Sequence, residues 1–139
     1  GIVAQLPASK PRKEKPAKRC QMILLRAPDK SILLQKRQGK GVWQDLWCPP
    51  QLESGDDAEQ WIDEQLHYPA KTIERWSPFR HSFSHYHLDI EPVLVNLQTR
   101  PAVLMEGEDW LWYNSREHDS VGIAAPIQKL LIRAQEQLL

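Results

Sequence analysis

Residues 46–66 read LWCPPQLESGDDAEQWIDEQL, and the order of residue types in this stretch decides how the chain is built. Its first part belongs to GKGVWQDLWCPPQLESGD (39–56), which is rich in glycine, proline and tryptophan and reads as an irregular loop laid over one side of a core. Asp56 or Asp57 then offers an N-cap, because a short carboxylate accepts the amide protons that open a helix. The spacing behind it predicts a helix with Ala58, Trp61, Ile62, Gln65 and Leu66 on one face, ended by Tyr68-Pro69. Upstream, QMILLRA (21–27) and SILLQKR (31–37) are apolar runs of strand length separated by Pro28-Asp29-Lys30, which predicts an antiparallel hairpin near the middle of a sheet. Downstream, KTIERWSPFRHSF (71–83) and HYHLDIEPVLVNL (85–97) alternate in part, and Pro92 is expected to confine its strand to an edge or a bulge. DWLWYN (109–114) is a further short strand. The tail APIQKLLIRAQEQLL (125–139) is a helix with Pro126 in its first turn and a stripe of Ile127, Leu130, Leu131, Ala134 and Leu138. Strands far outnumber helices and mostly follow one another directly, so the fold class is α+β with a mostly antiparallel sheet.

A chain of 139 residues has room for one domain, and 41% hydrophobic with 26% charged residues is a globular composition. No apolar run reaches the roughly 20 residues of a membrane helix. Two cysteines, Cys20 and Cys48, exclude a disulfide framework and a four-thiolate cluster, and a reducing, cytoplasmic setting follows. Charge is unevenly placed: the first 20 residues carry six basic side chains against Glu14 alone, the remainder twelve basic against seventeen acidic. The opening GIVAQLPASKPRKEKPAKR holds three prolines and little apolar periodicity, so residues 1–19 read as a flexible basic linker and 20–139 as the folded domain. A linker in that place predicts a further part ahead of it. Lys10, Arg12, Lys13, Lys15, Lys18 and Arg19 are its candidate contacts to a nucleic-acid backbone.

The six tryptophans read first as core, because a large aromatic ring gains most from burial; Trp43 and Trp47 in the loop could instead stack on a base. His81, His85 and His87 cluster in RHSFSHYH. If His85 and His87 shared one strand they would share a face, with Asp89 the one further metal ligand of the same parity, which is too few for a metal site. What remains is a polar strand end, or a recognition loop offering small hydrogen-bonding groups.

The 46–66 stretch resembles the Nudix box, a glycine, five residues, a glutamate, seven more, then Arg-Glu-apolar-x-Glu-Glu-x-Gly. Matching Asp56 to the first glutamate puts Pro50 where the glycine belongs and Glu64-Gln65-Leu66-His67-Tyr68-Pro69 where the metal-binding carboxylates belong. Sliding Asp63 and Glu64 onto the glutamate pair breaks the rest of the spacing. Hard cations on pyrophosphate need clustered oxygens, which this helix does not present at that spacing.

A Nudix-like domain without its metal glutamates, behind a Pro/Lys linker, resembles the C-terminal domain of the MutY family of adenine DNA glycosylases. LPASKPRKEKPAKR (6–19) resembles the family's connector, and KRQGKGVWQDLWCPPQ (36–51) its arginine-glycine-tryptophan segment. FRHSFSHYHLDI (79–90) is similar to its recognition segment, and VGIAAPIQKLL (121–131) to its closing helix. The resemblance implies a Nudix-like mixed, mostly antiparallel sheet flanked by two helices. It implies a bacterial, nucleoid-associated protein of DNA base-excision repair that recognises 8-oxoguanine opposite adenine. It places the lesion contacts on Phe83, Ser84, His85 and Tyr86, with Ser84 as the hydrogen-bonding group. Excision of the adenine, and the [4Fe–4S] cluster, would belong to an N-terminal catalytic domain, and this chain would hold no catalytic residue, metal or cofactor. Implied partners are duplex DNA containing the lesion, that catalytic domain, and protein partners through the linker, with no membrane. Two other readings stand beside it: a protein-interaction module, and a pyrophosphohydrolase of oxidised nucleotides.

Overall fold

The computed structural model describes residues 15–37, 43–66, 70–99, 109–114 and 121–137. The expected contacts Lys10, Arg12 and Lys13, and the helix-end positions Tyr68, Pro69 and Leu138, lie outside the described residues. In chain order the elements are β1 (Ala17–Arg26), β2 (Ile32–Lys36), β3 (Trp47–Cys48), β4 (Gln51–Glu53), α1 (Ala58–Leu66), β5 (Ala70–Arg75), β6 (Phe79–Ser82), β7 (His87–Leu97), β8 (Trp110–Tyr113) and α2 (Ala125–Glu136).

The strands form one mixed sheet, ordered β3-β2-β1-β7-β5, with β4 added to β1, β6 to β7 and β8 to β2. β1 and β7 run parallel in unbroken register from Ala17↔His87 to Arg26↔Asn96, and the other pairings are antiparallel. A strand covered on both faces should be apolar at consecutive positions, and β1 is: Met22 to Leu25 are all buried. Met22 and Leu24 pack in one layer with Ile127, Leu130, Leu131 and Ala134 of α2, while Ile23 and Leu25 pack in the other with Ala58 and Ile62 of α1. Each such side chain contributes about 1.5–3 kcal/mol by leaving water. The expected two-helix architecture is the one observed.

The β1–β2 connection is the predicted turn. Lys30 donates to the Ala27 carbonyl at 2.8 Å, and the Asp29 carboxylate accepts the Ser31 amide at 3.0 Å. Asp57 caps α1, its carboxylate accepting the Gln60 amide at 3.1 Å. Gln65, expected on the inner face, is exposed, while Ala58 and Ile62 are buried there and Trp61 is half-buried; the Leu66 side chain lies outside what the structure describes.

Two expectations need correction. The 39–56 segment is not all loop, because Trp47–Cys48 pairs with Lys36 and Gln35, and Gln51–Glu53 pairs with β1. β1 begins at Ala17, inside the stretch read as linker, because the parallel ladder with β7 extends down to His87. Pro92 lies in a central strand and not an edge one, at an irregularity where the register shifts by one residue between Arg75↔Val93 and Phe79↔Ile90, as the bulge alternative expected. Its carbonyl accepts the Trp76 amide at 3.0 Å, so its nitrogen points the same way, toward the junction where β5 gives way to β6. A missing N–H costs nothing where the neighbouring strand is interrupted.

Arg26, read only as the end of a strand, is fully buried. Its Nε donates to Asn96 Oδ1 at 2.8 Å, and its Nη1 donates to the carbonyls of Ala134 at 2.5 Å and Gln137 at 2.8 Å. A cation thus satisfies the orphan carbonyls and the negative end of α2. Burial lowers its pKa, and the nearby Glu74 carboxylate opposes that shift.

Candidate functional site

β6 and β7 form a hairpin closed by Ser82↔His87, with Phe83, Ser84, His85 and Tyr86 as its turn. The Phe83 amide donates to the Tyr86 carbonyl at 2.8 Å, which fixes the turn's width. Side chains on the two sides of this turn go to different places. Phe83 is half-buried at the centre of an aromatic group: His81 at 4.7 Å and Trp43 at 5.3 Å edge-on, and Tyr86 at 4.9 Å tilted, between ring centroids. Trp43 also meets His81 at 5.7 Å. Ser84 and His85 are exposed at the tip. The arrangement is an apolar base holding a short polar tip in solvent.

Trp43 reaches this group from a distant loop, at a backbone φ of 60°. A bulky residue in the left-handed region costs of order 1 kcal/mol or more and persists only where surrounding contacts impose it. Here the Trp43 carbonyl accepts the Leu46 amide at 3.0 Å, the Arg37 carbonyl accepts the Asp45 amide at 2.9 Å, and the ring is held by Phe83 and His81. The six tryptophans, expected mostly in the core, line it: Trp76 is buried, at 6% exposure, and the other five are half-buried rings packed against the two core layers, Trp43 and Trp47 on one and Trp61, Trp110 and Trp112 on the other.

The basic residues described before Cys20 meet the hairpin at different points. Lys15 Nζ donates to the Phe83 carbonyl at 3.0 Å, and Lys18 Nζ stands 4.6 Å over the Tyr86 ring. Arg19 pairs in the ladder opposite Asp89. Asp89 itself is taken by a two-pronged contact from Arg80, at 2.7 and 3.1 Å. That hydrogen bonding from Arg80 holds the Asp89 carboxyl below the usual carboxylate range.

The histidines do not converge. His81 joins the aromatic group, His85 lies in the turn rather than in a strand, and His87 Nδ1 is 2.7 Å from Ser82 Oγ. The shared face expected of His85 and His87 is therefore absent. Among the described residues no three His, Cys, Asp or Glu side chains are grouped to hold a metal. On α1, Glu59, Asp63 and Glu64 are exposed, and Glu64 accepts a hydrogen bond from Gln60 at 3.0 Å. The described carboxylates do not fit a divalent cation on pyrophosphate.

One concavity borders the hairpin, and another is lined by residues outside it. An apolar groove of about 510 Å³ runs between β6 and α2 over Phe79, His81, Pro126 and Leu130, with Lys129 and Arg133 beside it. A polar one of about 450 Å³ lies across β2 and β4 at Lys36, Arg37 and Gln51. His81 belongs to both the groove and the aromatic base of the hairpin. Neither Trp43 nor the lysine contacts were legible as parts of this site, because each depends on pairing between distant segments.

This geometry has relatives. The adenine DNA glycosylase of Buchnera aphidicola subsp. Acyrthosiphon pisum is 29% identical over 103 residues, covering 74% of this chain and 29% of that protein. The adenine DNA glycosylase of Buchnera aphidicola subsp. Baizongia pistaciae is 28% identical over 105 residues, covering 76% and 29%. The chain thus spans less than a third of the length of these curated relatives. Among solved structures, the C-terminal domain of mouse MUTYH in complex with human PCNA superposes with a TM-score of 0.64 at 16% identity, over 85% of this chain and 86% of that one. The MutT protein of Methanosarcina mazei superposes with a TM-score of 0.61 at 12% identity, over 88% and 96%. At such identities these likenesses concern the fold. The NUDIX domain family matches residues 21–133, and on that extent the chain belongs to the NUDIX domain family.

Proposed function

We propose that this chain is the lesion-reading domain of an adenine DNA glycosylase acting in base-excision repair. Its hairpin contacts 8-oxoguanine paired with adenine, and a separate catalytic domain of the whole enzyme flips the adenine out and hydrolyses its glycosidic bond. The observation that carries the reading is the hairpin itself: Ser84 and His85 project from a tip whose flanks are packed among Phe83, Tyr86, His81 and Trp43. Similarity to adenine DNA glycosylases over most of the chain supports it.

The chemistry suits the lesion. 8-Oxoguanine differs from guanine by an oxygen on C8 and a hydrogen on N7. A serine hydroxyl donates and accepts, and a neighbouring backbone amide donates, so one short turn can answer both changes. On this reading the Ser84 hydroxyl meets the lesion's edge, His85 lies against the lesion or its backbone, and Tyr86 and Phe83 hold the turn. The leader's Lys10, Arg12 and Lys13, with Arg19, supply phosphate neutralisation, because acidic residues outnumber basic ones in the rest of the chain. No residue of this chain takes a catalytic role, and a [4Fe–4S] cluster belongs to the catalytic domain.

The test is an amide NMR titration with two duplexes that differ only in 8-oxoguanine or guanine opposite adenine. Lesion-dependent shifts centred on Phe83 to Tyr86 support the reading; identical shifts confined to the leader would refute it. A second reading, a protein-docking role through the leader, draws on the mouse domain, whose structure contains human PCNA. It predicts partner binding untouched by Ser84→Ala. A pyrophosphohydrolase role has no support in the described α1 carboxylates, which do not gather.

A further inference from the structure

Two of the leader's basic side chains end on the hairpin turn. Lys15 Nζ donates to the Phe83 carbonyl at 3.0 Å, and Lys18 Nζ covers the Tyr86 ring at 4.6 Å. Between them the Pro16 carbonyl accepts the His87 amide at 2.9 Å, continuing the parallel β1–β7 ladder to its last pair, Ala17↔His87. Phe83 and Tyr86 are the two residues that bracket Ser84 and His85. The leader's final residues therefore hold both ends of the exposed pair from below.

The two central side chains of the turn, Ser84 and His85, stand in solvent and have no packing of their own to select one conformation. Preorganisation has to come from its flanks, and recognition loses affinity and selectivity to the extent that the flanks are loose. The geometry points to Lys15 and Lys18 as positioning residues that brace the recognition turn and set its preference for the lesion, rather than as phosphate contacts. In the free protein the Lys15 ammonium is oriented by the Phe83 carbonyl and the Lys18 ammonium by the Tyr86 ring, so the turn and not a phosphate fixes where they sit. The brace also makes the turn sensitive to whatever pulls on the leader, since the same three residues join the two. This inference rests on the hairpin being the lesion reader.

The test uses the whole chain with Lys15→Gln, Lys18→Gln and Lys18→Arg, and two readouts. In the free protein both glutamine variants shift the Phe83 carbonyl and Tyr86 ring signals and lower protection of the Phe83 amide. On DNA, each lowers the preference for 8-oxoguanine·adenine over guanine·adenine by roughly two- to fivefold, the scale of one exposed cation–π contact, with an unchanged salt dependence. Lys18→Arg restores the preference, because a guanidinium also sits over an aromatic ring. Equal weakening on both duplexes with a shallower salt dependence would make the lysines phosphate contacts and overturn the brace. Unchanged Phe83 and Tyr86 signals in the free variants would overturn it as well. Wild-type protein that binds both duplexes equally would instead defeat the reading of the hairpin, and the free-protein signals would still decide whether the brace exists.

Discussion

Phe83→Leu separates packing from direct contact. In the structure the Phe83 ring meets three others, at 4.7, 4.9 and 5.3 Å between centroids. Aromatic pairs at such distances contribute about 0.5–1.5 kcal/mol each beyond the area they bury. Three of them give about 1.5–4.5 kcal/mol, and the half-exposure of Phe83 favours the lower half of that range. Leucine keeps most of the apolar volume but none of the ring geometry, so the expected loss is about 2 kcal/mol. For a domain of this size that corresponds to a fall in Tm of roughly 8 °C. Urea unfolding followed by tryptophan fluorescence measures the global part. Hydrogen exchange of the Phe83 amide, bonded to the Tyr86 carbonyl at 2.8 Å, measures the local part, and hairpins can open without the rest of the sheet. The expected result is faster exchange at Phe83, lower stability, and weaker lesion preference as a consequence. Unchanged exchange and stability within about 0.5 kcal/mol, combined with lost lesion binding, would refute the argument and make Phe83 a direct ligand contact.

Other expectations are narrower. Ser84→Ala should leave stability unchanged, since the side chain is exposed, and reduce discrimination between lesion and guanine duplexes by about 1–3 kcal/mol in competition binding. Arg26→Met should destabilise by about 3 kcal/mol in urea unfolding: it removes the donors to Asn96, Ala134 and Gln137, while relief of a buried charge offsets part of the loss. Cys20 and Cys48, both pushed up to about 11 mainly by burial, should resist iodoacetamide at pH 8 in the native state and react only in denaturant. The folded state then holds those protons more tightly than the unfolded one, so stability should decline as pH rises from about 9 toward 11. The Arg80–Asp89 contact depresses the Asp89 pKa, so its contribution is present above the unfolded carboxyl value near pH 4 and fades as pH falls below it. Asp89→Asn should therefore lower Tm at pH 7 and leave it unchanged near pH 2.

Much of the architecture was legible because its signals are local. The apolar run in Gln21–Ala27 marked a strand near the middle of a sheet, Asp56 or Asp57 marked a helix start, of which the structure uses Asp57, and the 3.6-residue stripe of α2 predicted its buried face. The candidate tip Phe83–Tyr86 was legible through its resemblance to a recognition segment, and the structure puts it in a hairpin turn. The rest depended on which segments become neighbours. Pro92 is tolerable in a central strand only because β5 and β6 part beside it, and Arg26 is tolerable inside only because it meets the end of a helix 108 residues away. Local sequence carries periodicity and capping, which arise between residues a few positions apart. It does not carry the long-range pairing that brings Trp43, Lys15 and Lys18 to one turn, and that pairing decides how the tip is held.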